Sequence, residues 1–275
     1  MISILHPNRI VKVGLSLTGS KSITNRLLIL KSIYPLLKIK NKSESHDTVV
    51  LENALKSSSA IKNINHAGTA MRFLTAYYSI LEDEEVILKG SKRMHERPIY
   101  PLIDCLKSLG ADINYIEKDG FPPLKIRGQK LNFKRVEISS NVSSQFISAI
   151  LLVAPKLVGG LVMELKGELI SKPYIEMTLS LLNDLGIKTS FKGKKITVDN
   201  LEQIQKKNIN VESDWSSASY WFSIVALCER GEVTLNNFYK NSIQGDSILV
   251  KYYEALGVET KFIENKIILT KIIDF

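Results

Sequence analysis

The chain predicts an α/β fold of repeated βαβαββ units, on three observations. Helix-length apolar runs opened by small residues begin at His66 (HAGTAMRFLTAYYSIL), Asn141 (NVSSQFISAILLVA) and Ser213 (SDWSSASYWFSIVAL). Their spacing of roughly 75 residues signals stacked supersecondary units. Amphipathic runs closed by Leu-Gly follow on the same beat: PIYPLIDCLKSLGADI, KPYIEMTLSLLNDLGIKT and GDSILVKYYEALGVET. After each comes a hairpin pattern, YIEKDGFPPLKI, SFKGKKITV or KFIENKIILT.

Each element of the unit has a local reason. Gly, Ser and Thr at a helix start leave the first backbone N–H groups accessible. The first helix of each unit is apolar nearly all round, which predicts an internal position, whereas the second alternates faces and belongs on the surface. Gly110, Gly186 and Gly257 stand where a left-handed residue ends a helix. Asp119-Gly120, Gly193 and Asn265 are the turn candidates of the hairpins.

A chain of 275 residues can bury about three quarters of its unfolded surface, and such lengths often split into more than one core. Two lobes are expected. The apolar stretches Ile147–Val153 and Tyr220–Leu227 are too short to span a bilayer, and no basic and apolar leader opens the chain. No membrane partner is therefore expected, and the cytoplasm is the expected compartment.

Composition narrows the chemistry. Cys105 and Cys228 sit in predicted helices among apolar neighbours and read as buried thiols; His6, His46, His66 and His95 form no ligand pattern. No metal and no cofactor are expected. The net charge of +9 is spread over loops and hairpins without the aromatic-lined basic stripe of a nucleic-acid binder, so it supports anionic small molecules and not nucleic acid.

The candidate site starts at GSKSITNR, Gly19 to Arg26, where Ser20, Ser22, Lys21 and Arg26 gather at the start of the apolar run LLILKSI. Helix N-termini carry partial positive charge and bare amides, so this is an anion pocket in outline. Ser22 and Arg26 share one side of a helical turn. In RMHERP, Arg93 to Pro98, three cations or near-cations crowd one carboxylate before Pro98 stops a predicted strand. Such crowding repels unless an anion sits among them. Ser143, Ser144 and Gln145 open another apolar helix with two hydroxyls and an amide, more than capping alone requires.

Together GSKSITNR, AGTAMRFLTA, RMHERPI, SSQFISAILLVAP, SKPYIEMT, SDWSSASY and QGDSI resemble the 5-enolpyruvylshikimate 3-phosphate synthase family, the 3-phosphoshikimate 1-carboxyvinyltransferases, in order over essentially the whole chain. The resemblance implies an enolpyruvyl transferase-like inside-out α/β barrel of two lobes. Residues 19–212 would form the first lobe, and 1–18 plus 213–275 a partial second lobe. It implies transfer of the enolpyruvyl group of phosphoenolpyruvate to the 5-hydroxyl of shikimate 3-phosphate, in the shikimate pathway to chorismate and aromatic amino acids.

By match of motif, Lys21 would contact phosphoenolpyruvate and assist charge stabilisation or proton relay, and Ser22 and Arg26 would hold shikimate 3-phosphate. Gly68 and Arg97 would hold phosphoenolpyruvate. Ser143, Ser144 and Ser171 would bind shikimate 3-phosphate, with Gln145 bridging the two substrates. His66 and Phe73 depart from the family's usual asparagine and proline. Family members also continue past the position of Phe275, through an Asp-Ala-Ala-Met segment and a Lys-Glu-Ser/Thr-Asp-Arg segment that this sequence does not contain.

Two readings stay open: a shortened or split carboxyvinyltransferase, and a non-catalytic chain that binds shikimate 3-phosphate. Either is expected as a monomer or beside a complementing chain. A transferase acting on UDP-N-acetylglucosamine ranks lower, because that family carries Lys-Asn where this chain has Lys21-Ser22.

Overall fold

The computed structural model describes residues 9–132, 135–139, 143–169, 171–206 and 208–272. Asn141 and Phe275, and the first eight residues, including His6, of the 1–18 segment expected in the second lobe, lie outside them. In chain order the elements begin with β1 (Ile10–Ser16), α1 (Lys21–Ile33), β2 (Lys38–Lys40) and α2 (His46–Lys56). A first full repeat follows: β3 (Ile61–Asn63), α3 (Gly68–Ser79), β4 (Glu85–Lys89), the single turn α4 (Lys92–His95), α5 (Tyr100–Ser108), β5 (Asp112–Tyr115) and β6 (Leu124–Arg127). The second is β7 (Arg135–Ser139), α6 (Ser144–Val153), β8 (Leu161–Lys166), α7 (Lys172–Asp184), β9 (Thr189–Lys192) and β10 (Lys195–Val198). The chain then runs through β11 (Asn208–Asn210), α8 (Trp215–Leu227), β12 (Arg230–Asn236), α9 (Leu249–Glu254), β13 (Val258–Ile263) and β14 (Lys266–Lys271).

Two compact units result. The larger holds residues 21–40 and 44–209 and the smaller 9–20, 41–43 and 210–272, among the described residues. The three four-stranded sheets share one topology. In the larger unit the orders are β3-β4-β6-β5 and β7-β8-β10-β9; in the smaller it is β1-β12-β14-β13. In each, the first two strands are parallel, with Ile61 opposite Ile87, Val136 opposite Met163, and Val13 opposite Val233. The last two close an antiparallel hairpin. The smaller unit thus completes its repeat by taking its first strand, β1, from a distant part of the chain. In the larger unit β2, hydrogen-bonded to β11, belongs with α1 and α2 to a shorter third repeat.

Local chemistry accounts for these elements. The Leu-Gly helix ends take positive φ, 104° at Gly110, 90° at Gly186 and 76° at Gly257. Pro101 and Pro173 occupy the first turn of α5 and α7, where a missing N–H costs nothing. Asp214 caps α8, accepting from the Ser217 amide at 2.9 Å. β8 and β10 alternate buried and outward residues as half-covered strands do.

The internal first helices hold for the larger unit. α3 is buried at every position except Thr69, α6 everywhere except Gln145, and α1 from Ile23 to Leu30. These three helices pack against one another. α8 corrects the expectation. One face, Trp215, Ala218, Phe222 and Val225, packs with Val233, Leu235, Phe238 and Leu269 into the smaller unit's core, while Tyr220, Ile224 and Leu227 are exposed. Its sequence has the apolar character of an internal helix, but among the described residues the smaller unit supplies one repeat and no second helix of this kind. RMHERP corrects another: Lys92–His95 forms a helical turn, not a strand, because Met94 turns inward as the buried anchor of that turn.

The same helix therefore offers both extremes of burial. Phe222→Ala is expected to cost about 3–5 kcal/mol, and Leu227→Ala less than about 0.5 kcal/mol, by urea unfolding. Similar losses at both positions would contradict this packing.

Candidate anion-binding site

A cavity of about 230 Å³ in the larger unit is lined by Lys21, Ser22, Asn25, Arg26, Thr69, Ser143, Ser144, Gln145 and Tyr174. It lies where α1, α3 and α6 begin, so three helix N-termini present their first turns to one space. Six of the nine residues singled out in the sequence line it: Lys21, Ser22, Arg26, Ser143, Ser144 and Gln145. Ser143 is also the N-cap of α6, its hydroxyl accepting from the Gln145 amide at 3.3 Å. Gln145 Nε2 donates to Thr69 Oγ1 at 3.3 Å, which ties α6 to α3.

Arg26 is buried to 3% exposure, and its donors are largely committed to protein. Nε donates to Thr178 Oγ1 at 2.8 Å, Nη1 to Ser22 O at 2.8 Å, and Nη2 to Ser148 Oγ at 3.0 Å and Tyr174 O at 3.2 Å. Of five N–H groups, one on Nη1 remains. The guanidinium also lies over the rings of Phe73, 5.5 Å, and Tyr174, 5.9 Å. Phe73 thus supplies a face for the charge. No carboxylate pairs with Arg26 among the described residues, and burial lowers its pKa to about 10. A buried cation without a counter-ion is costly, and an anion in the cavity would offset that cost.

Gly68, Arg72 and Arg97 form a second cluster beside Thr69. A Cβ at Gly68 would stand 2.5 Å from Nη1 of both Arg72 and Arg97, so the two nitrogens are within about 5 Å of each other by that geometry. Arg72 is buried and donates from Nη1 to Gly68 O at 2.8 Å; its Nε has no partner among the described residues. Burial, and then the neighbouring Arg97, lower the Arg72 pKa to about 10. Like charges held this close mark a place for an anion. The rest of RMHERP does not join them. His95 accepts from the Gly90 amide at 3.2 Å and faces Glu117 at 3.5 Å, and Arg93 is exposed.

Ser171 does not line the cavity. It precedes α7 in a left-handed conformation, φ 61°, and its carbonyl accepts from the Tyr174 amide at 3.2 Å. Sequence reasoning missed Arg72, Asn25, Thr69, Ser148, Tyr174 and Thr178. Asn25 Oδ1 accepts from Thr48 Oγ1 at 2.8 Å while its buried Nδ2 has no partner among the described residues. Asn25 and Arg72 lie inside the motifs GSKSITNR and AGTAMRFLTA, so a polar residue in a helix buried on all sides was the available signal. A wider groove of about 600 Å³ along Lys172, Glu176, Asn183 and Phe191 lacks this unpaired cationic character, since Lys172 and Glu176 pair at 2.7 Å.

Comparison with known proteins gives this geometry its context. The sequence pattern of the family described as EPSP synthase (3-phosphoshikimate 1-carboxyvinyltransferase) matches residues 33–271. The chain belongs to the EPSP synthase family. A 3-phosphoshikimate 1-carboxyvinyltransferase of Bacteroides fragilis strain YCH46 is 41% identical over 265 residues, covering 95% of this chain and 64% of the relative. One from Actinobacillus pleuropneumoniae serotype 5b is 36% identical over 286 residues, with 93% and 66% covered. The fold matches the solved EPSP synthase of Acinetobacter baumannii with a TM-score of 0.78 at 20% identity, over 97% of this chain and 65% of that one. The chain spans just under two thirds of the length of the EPSP synthase relatives it matches. Among the described residues no helix is long and apolar enough to cross a membrane.

Two substitutions separate structure from binding. Arg26→Lys is expected to cost about 2–4 kcal/mol in urea unfolding, because a point charge cannot reach Thr178, Ser148 and the Tyr174 carbonyl together. Gly68→Ala sets a methyl 2.5 Å from Nη1 of both arginines, so the pair must shift, and affinity for inorganic phosphate by calorimetry is expected to fall about tenfold or more. Unchanged affinity would separate the arginine pair from anion binding.

Proposed function

We propose that this chain carries the anion-binding part of a 3-phosphoshikimate 1-carboxyvinyltransferase, holding shikimate 3-phosphate and phosphoenolpyruvate for enolpyruvyl transfer. The observation that carries this reading is uncompensated polarity at and beside one cavity: Asn25 Nδ2 and the Arg26 guanidinium, which has no carboxylate partner among the described residues, line it, and the neighbouring cluster adds Arg72, whose buried Nε has no acceptor among the described residues. Family membership supplies the reaction class. The larger unit fits a small ligand with several acceptor oxygens better than an apolar one.

In this reading Ser22, Ser143 and Ser144 hold the phosphate and hydroxyls of shikimate 3-phosphate at the mouths of α1 and α6. Arg26 lends charge, one hydrogen and the rigidity of its four committed bonds. Gly68, Arg97 and, newly, Arg72 take the phosphoenolpyruvate side, with Gln145 between the two by way of Thr69. Ser171 contributes from the loop before α7. Lys21, exposed at the first turn of α1 and lining the cavity, is the cation placed toward the reacting atoms. Domains divide as residues 19–212 for this part and 1–18 plus 213–275 for the second.

The transfer itself adds the 5-hydroxyl oxygen to C2 of phosphoenolpyruvate as the hydroxyl gives up its proton and C3 takes one; breaking the C2–O bond to phosphate, with loss of a C3 proton, then restores the double bond. Cationic character at C2 and the negative charge of the leaving phosphate call for a fixed electrostatic frame. Bringing two anions together costs repulsion that clustered Lys and Arg cancel. Chemistry that uses the acidic and basic segments of longer family members belongs to the length this chain does not span.

Binding by this chain is directly testable. Shikimate 3-phosphate at about one hundred times its Kd is expected to stabilise the chain by about 2.7 kcal/mol in thermal unfolding, and UDP-N-acetylglucosamine not at all. Ser143→Ala combined with Ser144→Ala is expected to remove that shift. Stabilisation by the nucleotide sugar, or none by shikimate 3-phosphate, would overturn the proposal.

A further inference from the structure

The three helices that begin at the cavity share a feature that capping does not require. The fifth residue of each is polar and buried: Asn25 in α1, Arg72 in α3 and Ser148 in α6, at 0%, 6% and 0% exposure. A polar group buried in an apolar helix needs a partner. Ser148 Oγ has one in Arg26, and Arg72 Nη1 has one in the Gly68 carbonyl. Asn25 is divided. Its Oδ1 accepts from Thr48 Oγ1 of α2 at 2.8 Å, whereas its Nδ2 has no partner among the described residues.

The contacts settle which end of the amide faces the cavity. Asn25 lines it with Lys21 and Ser22, which stand four and three residues earlier on the same side of α1, and Thr48 does not line it. With Oδ1 drawn to α2, the other branch of the planar amide, Nδ2, turns to the cavity side. Thr48 has one hydroxyl hydrogen and gives it to Asn25, so in its 3.0 Å contact with Ser45 Oγ the serine donates. Hydrogens therefore run one way, from Ser45 to Thr48 to Asn25, and the Nδ2 hydrogens stand at the end of that chain.

We infer that Asn25 is a binding residue of this site, its Nδ2 donating to an oxygen of shikimate 3-phosphate, and that Thr48 is a positioning residue that holds the amide in the donating orientation. This rests on the substrate reading above and adds to it a neutral donor and the helix that orients it. A cation attracts any anion in the cavity, whereas a buried amide hydrogen is satisfied only by an acceptor at one place, so Asn25 serves specificity. The unmet donor costs stability in the ligand-free chain, and the arriving oxygen removes that cost. A flipped amide would set Oδ1 against the ligand oxygen, acceptor against acceptor, and the Thr48 hydroxyl opposes the flip.

Calorimetric titration of the full chain with shikimate 3-phosphate, beside thermal unfolding without ligand, tests both residues. Asn25→Asp keeps an acceptor for Thr48 and replaces the donor by an anionic oxygen, so affinity is expected to fall about a hundredfold or more. Its ligand-free melting temperature is expected to hold or rise, because a carboxylate then lines the same cavity as Arg26. Asn25→Leu is expected to weaken binding about tenfold or more, and Thr48→Val about threefold to tenfold. Thr48→Ser keeps the hydroxyl, and its affinity is expected within about twofold of the parent.

Parent-like affinity in Asn25→Asp or Thr48→Val would overturn the inference. So would affinity losses that follow lowered melting temperatures across all four variants, Thr48→Ser included, which would assign the pair to the fold alone. A parent chain that does not bind shikimate 3-phosphate would overturn the substrate reading and this inference together, whereas equal binding by parent and variants would overturn this inference alone.

Discussion

The burial of Arg26 without a carboxylate constrains the larger unit more than any other contact. Its guanidinium joins α1 to α6 through Ser148 and to α7 through Thr178 and the Tyr174 carbonyl, and is flanked by the rings of Phe73 and Tyr174. Those acceptors are neutral, so they satisfy hydrogens without cancelling charge. Ser148 and Thr178 also bond each other at 3.0 Å, which leaves few ways to rearrange the network. The first turns of α1 and α6 are thereby held in register, and with them the serines and Gln145 around the cavity. A cavity framed this way has its polar groups held by contacts within the protein, and the charge of Arg26 is left without a counter-ion among the described residues.

Much of this architecture is legible in sequence because its determinants are local. Leu-Gly closures and turn residues in hairpins repeat three times, and repetition turns weak signals into a pattern, while the all-round apolar character that marks α3 and α6 as internal fails as a guide at α8. Ser143, Ser144 and Gln145 were readable for the same reason, as residues at a helix start. The partners of Arg26 were not. They stand 122 to 152 positions away, and nothing local distinguishes Ser148 or Thr178 from other hydroxyls in apolar helices. Arg72 was hidden by its setting, since an arginine within AGTAMRFLTA reads as a long stem reaching water until the structure shows it buried beside Gly68. RMHERP misled in the opposite direction: its charge density is real, but the chain turns there and disperses the cations, leaving Arg97 to meet Arg72.

The two units differ in a way that bears on what each can do. In the larger, three first helices cover each other, so the residues at their N-termini are fixed by a finished interior. Closely set Arg72 and Arg97 then repel by an amount on the order of 1–3 kcal/mol after solvent screening, an expense the packed helices can sustain. An anion bound between them converts that repulsion into attraction, so ligand binding and local stability rise together. In the smaller unit one helix faces a core on one side and water on the other, and Asp214, Gln244 and Glu212 hold its start through neutral and carboxylate hydrogen bonds within that unit. Its N-terminus is positioned but its outer face is not covered. Among the described residues, the division between the units thus falls between a three-helix interior and a one-helix interior.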